Sequence, residues 1–329
     1  MPTKKITVIH FGLGPIGSGI ARVIAARADF LIVGAVDIDP AKKGLDVGRV
    51  IGLTRHLGVK VSDNAAATLK NKADVVIHST GSALEKVLPQ LEMIVAAKHN
   101  IVSTCEELAE PWAQARLAKK LDARARKNKV SVLGTGINPG FMMDTLPIML
   151  TGLCQNVKGV RVSRIVDASE RREPLQKKIG AGLTVQEFNL KAAHKEIRHV
   201  GLAESVRSIA RALRWNLDAV QETIEPVIAQ TLVRTEFLKV QAGRVTGVHQ
   251  IGFGIKNGAR VIELDLQMSV DAGESIDEIW IDGAPEIHNV THGVHGDLST
   301  AALAANAIRR VVAAPPGLLT MAELPVISM

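Results

Sequence analysis

The chain has 329 residues, 47% of them hydrophobic and 22% charged, and no tyrosine. That absence excludes the phenol acid of short-chain dehydrogenases and aldo-keto reductases and leaves proton transfer to Glu, Asp, His, Lys or Cys. The formal charge of +7 is spread along the chain, which speaks against a nucleic-acid partner and suits a small anionic one.

Two cysteines, Cys105 and Cys154, give no disulfide framework and point to a reducing, cytoplasmic setting. No stretch approaches the ~18 apolar residues of a membrane-spanning helix. The charged start, Met1 to Lys5, runs into an apolar, glycine-containing segment and reads as the approach to a strand and turn, not as a signal peptide.

In chain order, Ile6 to Phe11 predicts a strand ending at Gly12, and Pro15 to Ala26 a helix. Leu31 to Val36 predicts a second strand ending at Asp37, Gly58 to Val61 a weaker one, and Asp74 to His78 a stronger one. Ala83 to Ala97 reads as a helix, Asn100 to Ser103 as a strand, Leu108 to Lys127 as one long amphipathic helix, and Val130 to Leu133 as a strand. Strands alternating with helices argue for a parallel, doubly wound α/β sheet.

The pattern then changes. Val157 to Val166 predicts a strand, Leu183 to Trp215 helix with a break near His199–Gly201, and Ala219 to Ile228 further helix around Pro226. Leu232 to Val270 alternates in strand fashion, with a hairpin at Asn257–Gly258 and other turns at Ala242–Gly243 and Asp282–Gly283. Asp297 to Ala313 is helical and Pro315–Pro316 stops it. The second half therefore reads as an α+β domain with an antiparallel sheet.

Gly12-Leu13-Gly14-Pro15-Ile16-Gly17 follows a strand and opens a helix. Gly12 allows the tight turn, Gly14 lets backbone approach a pyrophosphate, and Gly17 lets helix and strand pack closely. Asp37 ends the second strand, where a carboxylate binds the ribose hydroxyls of NAD and repels a 2′-phosphate. NAD(H) is thus favoured, while Lys42, Lys43 and Arg49 leave NADP(H) open. Ser79, Thr80 and Gly81 follow the Asp74–His78 strand and are expected beside the nicotinamide ribose, because ligands of such sheets sit beyond the carboxyl ends of the strands.

Thr104-Cys105-Glu106-Glu107 follows the next strand at the same edge, so one of two carboxylates can reach the nicotinamide face. After the last parallel strand comes Gly134 to Phe141, a tight loop in which Asn138 can orient a polar group of cofactor or substrate. Cys105 lacks an evident partner base and reads as a small buried residue. His288, His292, His295 and Asp297 sit among glycines and β-branched residues that oppose a helix, so no metal is expected.

Phe11–Gly17, Gly34–Pro40, Ser103–Leu108, Gly134–Pro147, Asp167–Gly182, His199–Ser205 and Gly296–Ala305 resemble the 2,4-diaminopentanoate dehydrogenases and native amine dehydrogenases; Ser-Thr-Cys-Glu-Glu-Leu and Asn-Pro-Gly-Phe-Met-Met-Asp are the most specific pieces. The resemblance implies a dihydrodipicolinate reductase-like fold: a Rossmann domain at 1–140, a substrate-binding and dimerisation domain at 141–296, and a C-terminal helix within 297–329 that returns to the Rossmann domain. The paired-histidine and Pro-Ser-Gly-Thr motifs of dihydrodipicolinate reductase itself are absent.

The resemblance further implies reductive amination of a small ketone or aldehyde by ammonia, with Glu107 as acid/base and Glu106 still open. A diamino acid substrate is the alternative and would need a cation at Arg164, Arg171 or Arg172. Met143, Leu175 and His199, with Phe141, Met142, Leu146 and Phe188, are expected to line the substrate pocket. A homodimer is expected on symmetry grounds and from the resemblance. A non-catalytic dinucleotide sensor is the remaining reading, but it would not need Glu107 and Asn138 at the cofactor edge.

Overall fold

The computed structural model describes residues 5–329. Residues 1–4, on which the reading of the charged start rests, lie outside them. Two compact units are present, one running to Phe141 and resumed by His295–Met329, the other formed by Met142–Val294.

The first unit is built on a parallel sheet of β1 (Ile6–Phe11), β2 (Phe30–Val36), β3 (Val61–Ser62), β4 (Val75–His78), β5 (Asn100–Ser103), β6 (Ser131–Gly134) and β15 (Gly317–Leu319). Its order is β15-β6-β5-β4-β1-β2-β3, with every pairing parallel. The chain reverses its direction of travel across the sheet between β1 and β4, which is where a doubly wound sheet opens its ligand crevice.

Helices α1 (Pro15–Ala25), α4 (Leu84–Ala96), α5 (Ala115–Asn128) and α10 (Gly296–Ala313) cover the sheet; α2 (Val47–Val50) and α3 (Ala65–Thr68) are single turns. Side chains alternate along β1 as the strand period requires. Ile9 and Phe11 join Val76, Leu88, Leu91 and Leu121 in one apolar core. Helix α10 packs against α1 and against β5 and β6, so the C-terminal segment does return to this unit.

The second unit centres on a six-stranded sheet with the order β14-β13-β7-β12-β11-β8. Its strands are β7 (Asn156–Asp167), β8 (Ala219–Ile228), β11 (Val245–Lys256), β12 (Ala259–Ser269), β13 (Ile276–Ala284) and β14 (Ile287–His292). One face packs under α6 (Thr145–Thr151) and α9 (Leu202–Ala212) through Val160, Val162, Leu264, Ile279 and Ile281. The other carries Arg161 stacked on Trp280 at 3.7 Å and Trp280 stacked on His288 at 4.9 Å. Helices α7 (Glu173–Lys178) and α8 (Val185–Ala193) and the two-residue strands β9 (Val233–Arg234) and β10 (Lys239–Val240) complete the unit.

Several sequence expectations need correction. The long helix over Leu108–Lys127 is instead a 3₁₀ turn at Glu106–Leu108, another at Pro111–Gln114, and α5. Pro111 has no N–H to give and prevents continuous helix. Ala219–Ile228 is strand, not helix; its β-branched residues suit a pleated surface, and Pro226 is tolerated because β8 is an edge strand. Asp282–Gly283 is a register shift inside β13, not a turn. The weak strand near Gly58–Val61 is reduced to Val61–Ser62. The second sheet is mixed, because β7 and β12 run parallel. Asn257–Gly258 does form the two-residue hairpin, with φ of 52° and 74°.

His10 lies fully buried in β1, and neither ring nitrogen has a partner among the described residues. Burial pushes its imidazole down to about 3. The unfolded chain takes up that proton below about pH 6.5, so stability is complete above that value and drains away as pH falls towards 3. Urea unfolding at pH 7 and pH 5 is expected to show a loss of about 2 kcal/mol from this residue alone, and His10→Leu removes that share. An unchanged pH dependence in His10→Leu would refute the assignment.

Candidate active site

Because all strands of the first sheet are parallel, the loops after β1, β4, β5 and β6 emerge at one edge. The end of β2 lies there too. This edge gathers the glycine loop, Asp37, Ser79–Gly81, Glu106–Glu107 and Asn138.

The glycine loop is shaped as a phosphate cradle. Gly12 has φ +96°, and a Cβ there would collide with the Ser79 carbonyl; a Cβ on Gly17 would collide with the Gly12 carbonyl. Above Gly14 a Cβ would meet nothing within 4 Å. Closed beneath and open above, the loop exposes the N-terminus of α1, where Pro15 occupies the first turn followed by Ile16. These residues fit a dinucleotide pyrophosphate.

Asp37 is 8% exposed. Its carboxylate accepts from the Leu13 N–H at 2.7 Å and the Asp39 N–H at 2.9 Å, with Lys42 Nζ at 3.3 Å. Burial works against the charged form, but the two N–H donors and Lys42 outweigh it and hold the carboxyl below the usual range. The glycine loop and the ribose-binding position are thus fastened together. Lys43 is committed instead to Asp63 at 2.6 Å.

Ser79 Oγ donates to the Gly12 carbonyl at 3.0 Å. Beneath Thr80 runs a network that sequence reasoning missed. His78 Nδ1 meets Ser103 Oγ at 2.8 Å, and its Nε2 meets Gln90 Oε1 at 2.9 Å and Thr80 Oγ1 at 2.9 Å. Burial pushes His78 down to about 4, so the ring is neutral at neutral pH and its nitrogens serve the network as one donor and one acceptor. The only signal in the sequence was a histidine inside an apolar strand run.

Glu107 stands in the 3₁₀ turn after β5. Its Oε2 accepts from the Leu84 N–H at 2.8 Å and from Gln114 Nε2 at 2.6 Å. Both donors meet the same oxygen, which orients the carboxylate and leaves Oε1 outside that pair of bonds. Gln114 was missed because the expected long helix would have turned it away. Cys105 is buried, its Sγ donates to the Ser82 carbonyl at 3.1 Å, and burial, with Glu106 and Glu107 adding to it, pushes the thiol up to about 12. It is no nucleophile. Asn138 sits half-buried in the loop after β6, joined to Pro139 by a cis peptide.

In the second unit the expected substrate residues divide. Met143 is fully buried in the core with Val162 and Leu202, and Phe188 is likewise core. Arg164 is 3% exposed, paired with Asp277 at 2.5 Å and donating to the Val294 carbonyl at 3.2 Å. Met143 and Arg164 are therefore corrected from substrate candidates to structural residues, one by packing and one by charge pairing. Leu175 and His199 do face a cavity, of about 370 Å³. His288 and His292 pair with Glu278 and Glu274, His295 caps α10, and no group of three metal-ligating side chains occurs among the described residues.

Comparison with known proteins agrees with this arrangement. Residues 141–329 match the family model for the 2,4-diaminopentanoate dehydrogenase C-terminal domain, and residues 5–110 that for the dihydrodipicolinate reductase N-terminus. A 2,4-diaminopentanoate dehydrogenase of Acetoanaerobium sticklandii is 33% identical, with 98% of this chain and 94% of that protein covered. An amine dehydrogenase of Streptomyces virginiae is 23% identical over 97% and 96%. The solved structure of an amine dehydrogenase from Mycobacterium smegmatis superposes with a TM-score of 0.88 at 26% identity, covering 99% of this chain and 98% of that one. A dihydrodipicolinate reductase from Paenisporosarcina shares the fold at a TM-score of 0.54. The chain belongs to the 2,4-diaminopentanoate dehydrogenase family.

Proposed function

We propose that the protein is an NAD(H)-dependent amine dehydrogenase that converts a small ketone or aldehyde, ammonium and NADH to the amine, water and oxidised cofactor, and runs the reverse deamination. The observation that carries this reading is the Glu107 carboxylate, held by Leu84 and Gln114 at the sheet edge that also bears the glycine loop. When bound, the cofactor supplies the hydride.

Glu107 takes a proton from ammonium, which frees the nucleophilic lone pair. It returns the proton to the departing hydroxyl and then faces the iminium carbon as an anion, where positive charge develops. A carboxylate suits this sequence better than the absent phenol would. Asn138 orients the polar group of the substrate or the carboxamide of the cofactor.

Asp37 would meet a 2′-phosphate with like charge, so NAD(H) is preferred. Lys42 keeps NADP(H) within reach. The polar and aromatic face of the second sheet, with Trp280, Ile165 and Val290, serves as a two-fold interface; a solution mass of one 35.1 kDa chain would remove this element.

The function is tested by ammonia-dependent oxidation of NADH and of NADPH over a panel that includes cyclohexanone and 2-amino-4-oxopentanoate. Turnover with a larger kcat/KM for NADH is expected. Micromolar NADH binding without turnover on the whole panel would leave a dinucleotide sensor instead.

A further inference from the structure

We infer that Lys178 and Arg198 form an anion-recognising pair that selects substrates whose carbon chain carries a carboxylate remote from the reacting centre. This rests on the amine dehydrogenase reading and names the specificity determinant within it.

The cavity of about 370 Å³ in the second unit has an apolar lining from residues such as Leu175, Val248 and Leu266, while its ionisable lining residues are Lys178, Arg198 and His199. No carboxylate lines it. An ammonium group there would meet two like charges, so this cavity suits the end of the substrate opposite the amine. A wholly apolar ligand would bury beside two cations and give them nothing. A carboxylate answers both, and the guanidinium matches it with two parallel N–H donors.

The pairing of neighbouring cations sharpens this. Lys177 is paired with Glu173 at 2.6 Å, Lys191 with Glu196 at 2.8 Å, and Arg164 with Asp277. Among the described residues, Lys178 and Arg198 have no such partner. The segments that present them are rigidly held. Gln176, fully buried, donates from Nε2 to the carbonyls of Ala168, Ser169 and Arg171 at 2.9–3.0 Å and so anchors α7 next to Lys178. Gln250 brackets the residue after Arg198, accepting from the His199 N–H at 2.8 Å and donating to the His199 carbonyl at 3.1 Å. A pre-positioned pair of charges loses little entropy on meeting its ligand.

The test compares an acid with its isosteric neutral amide, 2-amino-4-oxopentanoate with 2-amino-4-oxopentanamide, in ammonia-dependent NADH oxidation. The wild type is expected to favour the acid by about 100-fold in kcat/KM. Lys178→Met and Arg198→Met each cut the acid's kcat/KM about tenfold or more, through KM, and leave the amide within about twofold. Equal wild-type values for acid and amide, or equal losses for both in the variants, overturn the pair.

Absence of turnover with every carbonyl, cyclohexanone included, would instead sink the dehydrogenase reading. Thermal melting then reports on the pair by itself. A rise in Tm with the acid but not the amide, lost in both variants, supports it, and no acid-specific rise overturns it.

Discussion

Glu107→Gln is expected to bind NADH as the wild type does and to lose about 10²–10⁴-fold of its ammonia-dependent turnover. The substitution preserves shape and most of the local bonding. An amide oxygen at Oε2 still accepts from the Leu84 N–H and from Gln114, so the start of α4 and the turn after β5 keep their places. What disappears is the capacity to hold a proton and the negative charge that faces the iminium. Fluorescence titration with NADH and steady-state rates with saturating ammonia separate the two effects.

Glu106→Gln is the control, since that residue shares the turn but not the bonds to Leu84 and Gln114. A near-wild-type rate in Glu107→Gln together with a collapse in Glu106→Gln would move the acid/base role to Glu106. Gln114→Leu loosens the carboxylate without removing it and is expected to fall between wild type and Glu107→Gln.

The cofactor half of the site was legible in the sequence because its chemistry is local. A glycine loop announces itself by spacing, and Asp37 and Ser79 follow from strand ends in a regular alternation of elements. The substrate half was not legible in the same way. Met143, Arg164, Leu175 and His199 looked equivalent as sequence, yet two are buried structure and two face a cavity. What separates them is long-range pairing. Arg164 meets Asp277 across 113 positions, and no local pattern reports that.

The long helix expected over Leu108–Lys127 hid Gln114 for a related reason. Amphipathic periodicity continued through Pro111, and the missing N–H of that proline should have outweighed it. Strand β8 was misread because Pro226 and a polar exposed face obscured the alternation. Edge strands carry the weakest pattern of any strand, since only one neighbour constrains them.

Arg164→Met is expected to cost about 3–5 kcal/mol of stability, the largest structural effect of any single change discussed. Arg164 and Asp277 are each 3% exposed. Burial pushes the Asp277 carboxyl above its ordinary range, against the opposing pull of Arg164. Removing the guanidinium leaves a desolvated carboxylate with no counter-charge, and removing Asp277 leaves a buried cation beside the Val294 carbonyl. Replacing both, as in Arg164→Met with Asp277→Leu, removes two desolvation penalties together and is expected to restore most of the loss. In a unit of this size the single variant lowers Tm by about 10 °C and the double variant by far less. The cycle also decides between the two roles considered for this arginine. An unchanged Tm in Arg164→Met, with a raised KM for a carboxylate-bearing substrate, would return the guanidinium to the ligand. A lowered Tm that Asp277→Leu rescues fixes it as the clamp that joins β7 to β13, and leaves recognition of substrate charge to Lys178 and Arg198.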